Sequence, residues 1–334
     1  MPIRKLAYRL VFGLAVSTSL FAESNDAAAA AGATAENTSL PDAKPAIANR
    51  LPVANPLFLP SQNQFYVEIQ GGWQRYASKV TFPAQTVSGV PLAAGSTKTT
   101  RDSVRMAATL AYALHDRFVL GLDVLYLASE RVSLSNTGSL SSLRASATTS
   151  TGFYNPRFSA IGRLLGLGRN EWFLDAGGIY SPGIKSDDPN AFAKPMSEVE
   201  AKVRVGKNSG PWTAGIGVSL AYSIETMHKG ITYRSTTALL TEAVVQYDMA
   251  RHFIDAGIGL IQYVDRTSAN DALNGKMRTI IQFGLGTRFT QNVFARVSVG
   301  WLMPISADYR ESGYLFQVED IGGPVAFLTI GARF

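Results

Sequence analysis

From Gln64 to Phe334 apolar and polar residues alternate with period two, in runs separated by Pro, Gly and polar clusters. That spacing sends successive side chains to opposite faces of a β-strand. Twelve segments read this way, at about 64–77, 103–114, 117–130, 152–165, 171–180, 197–206, 211–225, 233–247, 252–264, 277–289, 293–302 and 325–334. The clearest is 197–206, where Val199, Ala201, Val203 and Val205 oppose Glu198, Glu200, Lys202 and Arg204. Segments near 10–14 residues exceed the usual soluble strand of about 5–6. They match membrane strands of about 9–11 residues with extensions.

A soluble β-sandwich also alternates, so the aromatic positions matter. All four Trp lie on the apolar face near segment ends. Trp73, Tyr126, Trp172, Tyr180, Trp212, Tyr222, Tyr247 and Trp301 form the expected membrane girdle, with Ala, Val, Leu and Ile between them. Large aromatics in a soluble core would crowd strand centres, whereas lipid-facing strands carry them at the two interfaces. Connections alternate as well. Those near 114–117, 166–170, 206–210, 248–251 and 290–292 are short; those between the other strands are longer and rich in Ser, Thr, Asn and Gly. The pattern predicts an all-β, closed, antiparallel up-and-down transmembrane barrel of about 12 strands, with both termini periplasmic.

The chain has 334 residues, of which 17% are charged, with three His and no Cys. The missing Cys removes disulfide scaffolds, thiolate metal sites and catalytic thiols, and three His make a multi-histidine metal site improbable. No metal and no cofactor are expected. Arg4, Lys5 and Arg9 precede a short apolar stretch ending at Ala22, the layout of a signal peptide at 1–22. Its removal takes three bases and no acid, so the net charge falls from +6 to +3 and nucleic acid is not an expected partner. Residues 23–63, rich in Ala and Pro, read as a periplasmic leader. The more apolar end, from Asn55 to Pro60, either packs on the first strand or enters the lumen as a plug. Residues 64–334 form the barrel domain.

With its leader, alternating turns and loops, and terminal Phe334, the chain resembles Gram-negative outer-membrane β-barrels. In that class the last strand, here Leu328, Ile330, Ala332 and Phe334, is read by the barrel-assembly machinery. The resemblance therefore implies an outer-membrane location, with outer-membrane lipid, LPS and that machinery as partners. More narrowly, Asn155-Pro156-Arg157-Phe158-Ser159-Ala160-Ile161-Gly162-Arg163-Leu164-Leu165 is similar to a strand of the phenol meta-pathway-type channel family. Asn155, Ile161 and Gly162 depart from that family's pattern.

The polar face supplies the candidate permeation residues. Glu68, Arg105, Asp123, Asp175, Glu200, Arg204, Glu242, Asp255, Arg278, Arg288, Arg296 and Arg333 all fall on inward positions, as do Arg157, Arg163, Glu198, Lys202, Glu225 and Arg234. These are eight acids and ten bases, a mixed lumen. Such charges either pair across strands or set up a transverse field on a permeant. Inward Gly, such as Gly217, Gly284 and Gly286, leaves bore space or tightens curvature. His228, near Glu225, is the one His near the loop rim; His115 and His252 fall in turns, so no catalytic residue is assigned and no enzyme is expected. A twelve-stranded bore is narrower than a general porin of 16–18 strands. The expected function is an outer-membrane channel or transporter for a small polar or amphipathic solute. The alternatives are a surface-adhesion barrel acting through its long loops and, more remotely, a rim hydrolase.

Overall fold

A computed structural model describes residues 53–56, 58–141, 147–166, 170–186, 192–263, 276–290, 292–311 and 314–334. The signal-peptide segment and residues 23–52 of the leader lie outside them. Twelve strands make the barrel wall: β1 (Phe65–Phe82), β2 (Gly95–His115), β3 (Phe118–Gly138), β4 (Arg157–Leu165), β5 (Trp172–Ser181), β6 (Glu198–Ser209), β7 (Trp212–Ser223), β8 (Thr236–Met249), β9 (His252–Tyr263), β10 (Met277–Arg288), β11 (Val293–Leu302) and β12 (Tyr314–Arg333). Each pairs antiparallel with its chain neighbours, and β12 returns to β1 from Tyr66 against Arg333 to Thr81 against Gln317. That last ladder closes the ring, so the wall has no free edge.

The wall is apolar outside and polar inside. Along β7, Trp212, Ala214, Ile216, Val218, Leu220 and Tyr222 are exposed, while Thr213, Gly215, Gly217, Ser219 and Ala221 between them are buried. Elsewhere Phe283, Leu285, Val297, Val299, Leu328 and Ile330 are each at least half exposed. Charged Glu68, Arg105, Arg163, Asp175 and Arg288 are buried instead. Exposed apolar patches on soluble monomers rarely exceed a few hundred Å²; a continuous belt around the barrel is the surface of a protein solvated by lipid. Aromatic girdles bound the belt. Trp172, Trp212 and Tyr247 mark one rim, where Trp212 and Tyr247 rings lie 4.7 Å apart. Trp73, Tyr126, Tyr180, Tyr222 and Trp301 mark the other, Tyr126 lying 4.7 Å from Phe153. Trp212 and Tyr222 are ten positions apart on β7. At about 3.3 Å per residue and a tilt of about 35–45°, they span roughly 23–27 Å, the height of a membrane barrel's apolar band.

Connections at one end are tight. Asp116-Arg117, Gly210-Pro211 and Ala250-Arg251 each join two strands, the last two turning through a positive φ at Gly210 (58°) and Ala250 (42°), as primed hairpin turns do. Both barrel termini lie at this turn end, where Phe65 and Phe334 exchange backbone hydrogen bonds of 3.0 and 2.9 Å. At the opposite, loop end, β1, β2, β3 and β12 run well past the girdle, through stretches whose Ser, Thr and Gly content reads as loop. Above the lipid the outer face meets water, so alternation fades while the ladder continues. Small hairpins, Gln85–Val87 with Val90–Leu92 and Thr226–His228 with Ile231–Tyr233, decorate this end, and Ile305–Glu311 pairs with β12.

The fourth sequence segment is not one continuous strand. Arg157–Leu165 pairs with β3 as far as Asp123, and Ala147–Phe153 resumes on β3 at Tyr126. Tyr154, Asn155 and Pro156 lie between the two ladders. Pro156 has no N–H to give to a ladder, so the break falls where the backbone loses a donor. Asn155 holds it: its Nδ2 donates to the carbonyls of Pro182 and Lys194 (both 2.8 Å), and its Oδ1 accepts from the Lys194 N–H (2.6 Å).

Candidate functional site: the barrel lumen

The inward positions bring the charged residues together in tiers. Near the turn end, Asp175 on β5 lies between Arg163 on β4 and Arg204 on β6. Arg163 Nε donates to Asp175 Oδ1 (2.7 Å), and Arg204 NH2 and Nε donate to Oδ2 (2.6 and 3.0 Å). The register brings this about, since Asp175 is directly opposite both Arg163 and Arg204 in its two ladders. Arg163 also lies over the Phe173 ring, its guanidinium carbon 4.6 Å from the centroid.

Arg204 reaches further inward. Its NH1 donates to the Pro56 carbonyl (2.7 Å), and Asn55 Nδ2 donates to Thr213 Oγ1 on β7 (2.6 Å). Val53, Ala54 and Phe58 pack on Tyr66, Phe253 and Phe294, which project inward from β1, β9 and β11. The described end of the leader thus lies inside the barrel at its turn end, with Phe58 against Tyr66 of the first strand. Glycine makes room for these rings. A Cβ on Gly286 would stand 2.0 Å from Phe253, and one on Gly331 2.1 Å from Phe294. These two inward glycines let aromatic rings lie flat on the wall, where bore space or curvature were the expected reasons.

Further polar pairs line the wall. Arg296 NH2 donates to Asp255 Oδ1 (2.6 Å) and Lys202 Nζ to Glu242 Oε1 (2.8 Å). Tyr66 donates its hydroxyl to Glu68 (2.5 Å), and Thr109 to Asp123 (2.6 Å). Toward the loop end, Arg157 pairs with Glu200 (2.5 Å), Arg101 with Glu130 (3.3 Å) and Arg278 with Asp320 (3.7 Å). Arg288 at the turn end pairs with Asp248 and lies over Phe253. Arg105 is buried in the upper lumen.

Of the residues expected in the lumen, Arg333 sits at the turn-end mouth, opposite Tyr66, and donates to Asn292 (2.7 Å). Glu68 faces Gly331. Glu225 and Arg234 are exposed beside the loop hairpin, because β7 ends at Ser223 and β8 begins at Thr236. His228 in that hairpin bonds through Nε2 to the Ser186 carbonyl (2.9 Å). Sequence reading missed Arg101 and Asp320, which lie on strand extensions, Glu130, at the end of the third segment, and Asp248, placed in a turn. Arg101 and Asp248 keep the parity of their strands, whereas Glu130 and Asp320 turn inward only because register shifts, after Leu127 and opposite Ala77–Ser78, reverse the phase of the alternation. Asn55 carried no signal, since nothing in the sequence links it to Thr213, 158 positions away. Among the described residues no cluster of His, Asp and Glu could hold a metal ion.

No family model matches the chain. No curated protein matches it either. Among solved structures, the chain is similar to the COG4313 outer membrane channel from Pseudomonas putida F1, with 14% identity and a TM-score of 0.52 over 88% of this chain and all of that one. It aligns less tightly with the NanC porin, at 10% identity and a TM-score of 0.46 over 80% of this chain and 98% of that one. A FadL homologue from Pseudomonas aeruginosa gives 12% and 0.43, over 81% and 90%. At these identities what is shared is the fold, a closed β-barrel of the kind found in outer-membrane channels.

Proposed function

We propose that the chain is an outer-membrane channel, its turn end and barrel termini in the periplasm, passing a small polar or amphipathic solute. The observation that carries this reading is the leader end inside the lumen, held by Arg204 and Asn55 at the turn end. A barrel serving only as a scaffold has no need of a segment seated across its bore by hydrogen bonds and buried apolar contacts. The charge pairing supports a solute of no fixed sign, since cross-strand partners neutralise most of the wall. The outer-membrane channel of similar fold is consistent with the same class of function.

The test is single-channel recording in planar bilayers. The full mature chain should give discrete conductance steps with weak preference between cations and anions. Deleting residues 23–60 should enlarge the steps, and Asn55→Ala with Arg204→Gln should reproduce part of the gain. If neither the full chain nor the deletion variant conducts, the channel reading fails.

A further inference from the structure

One feature of the outer wall does not belong to an apolar belt. On β1, the outward positions above the girdle residue Trp73 are Arg75, Ala77 and Lys79; on β2 they are Asp102, Thr100 and Lys98. Arg75 faces Asp102 (3.6 Å), and Asp102 faces Arg131 of β3. Lys79 is directly opposite Lys98, with Glu319 of β12 on its other side. Lys98 and Arg131 are exposed, and among the described residues Lys79, Lys98 and Arg131 make no ion pair. On β5, β6 and β7 the outward residues at the girdle, Tyr180, Val199 and Tyr222, are uncharged. Lys79, Lys98 and Arg131 thus stand together on one arc of the wall, on three neighbouring strands.

Two ammonium groups directly opposite each other, with Cβ atoms about 4.5–5.5 Å apart, repel. Glu319 beside Lys79 offsets part of that repulsion, and an anion placed between the two ammonium groups would offset the rest. Arg75 is two residues above Trp73, a rise of about 5 Å for a tilted strand, and Lys79 lies about 13 Å further along β1. Those heights are the headgroup zone of the surrounding leaflet, where a ligand approaching from the side is a lipid. Apolar Ile69, Trp73 and Met106 directly below, exposed to about 40–56%, are the surface its acyl chains would cover.

We propose that this arc of β1, β2 and β3 binds the phosphates of a phosphorylated glycolipid of the outer leaflet, with Lys79, Lys98 and Arg131 as the principal donors. The inference rests on the outer-membrane reading above and concerns the outside of the barrel. The site is an annular lipid contact that anchors the extended strands in the headgroup layer.

The test uses the full mature chain, purified in detergent and examined by native mass spectrometry with diphosphorylated lipid A or its dephosphorylated form. Wild-type protein should retain the phosphorylated lipid. Each cation removed should weaken retention about fivefold, and Lys79→Gln, Lys98→Gln and Arg131→Gln together about a hundredfold. Equal retention of both lipid forms, or undiminished retention by the triple variant, overturns the proposal. So does complete displacement by millimolar inorganic phosphate, which would reveal an ion site only. If heat-modifiability on gels shows the triple variant unfolded, Lys79→Gln with Lys98→Gln carries the comparison, with about a 25-fold loss expected and an unchanged affinity overturning the proposal. Conductance of the same preparations separates the two ideas: lost lipid binding with intact steps leaves the channel standing.

Discussion

Replacing Asp175 by Asn probes the lower lumen most directly. The carboxylate is 3% exposed, between guanidinium groups that are 4% exposed (Arg163) and 15% exposed (Arg204). Asn keeps the shape, removes the charge, and leaves two cations separated by one neutral side chain. Charge-assisted hydrogen bonds contribute about 1.5–3 kcal/mol each, and they share one acceptor group, so their values do not add. Removing the partner of a buried charge costs about 3–5 kcal/mol, and that is the loss expected here. Urea unfolding of the barrel in lipid vesicles, followed by Trp fluorescence, measures it. The triple variant Arg163→Met, Asp175→Leu, Arg204→Met should recover most of the loss, because a buried ion cluster is replaceable by apolar side chains of similar size. The variant still lacks the Arg204 donor to Pro56, so its leader should loosen and its conductance rise. A loss under about 1 kcal/mol for Asp175→Asn would refute the reasoning: lumen water would then screen the cluster as it does a surface pair.

Two further outcomes follow from the geometry. Trp73, Trp172, Trp212 and Trp301 are all 40–61% exposed on the outer wall, so brominated lipid should quench most of the Trp fluorescence of the reconstituted barrel; emission insensitive to bromine would contradict the outward placement. Asn155→Ala removes the side-chain bonds that tie the strand break to Pro182 and Lys194, and limited proteolysis should then cut within 182–197 faster than in wild type, with little change in the barrel's urea midpoint.

Alternation made the wall legible. In β6, Val199, Ala201, Val203 and Val205 against Glu198, Glu200, Lys202 and Arg204 define both faces without reference to any other strand. Strand ends were legible only where lipid met the wall. Thr99 and Arg101 are buried on the inner face of β2, yet their stretch reads as loop, because both faces of a strand above the membrane contact polar surroundings. The break at Pro156 was visible as a residue without being visible as a break, since Pro also occurs at bulges and edges.

The lumen was legible as a list of charges and illegible as an arrangement. A period of two decides which residues point inward, so Asp175, Arg204, Arg296 and Asp255 could be placed from the chain alone. Which of them meet depends on register, set by how neighbouring strands slide past one another. Register places Asp175 opposite both Arg163 and Arg204. It also sets Lys79 beside Lys98 on the outer face. The leader's seat needed more still. Pro56 meets Arg204 across 148 positions of sequence, a contact that exists only after the ring closes and encloses a volume. Side-chain direction is a local property of an extended backbone, and the sequence by itself determined it; partnership in the lumen is a property of the closed barrel, and only the tertiary structure decided it.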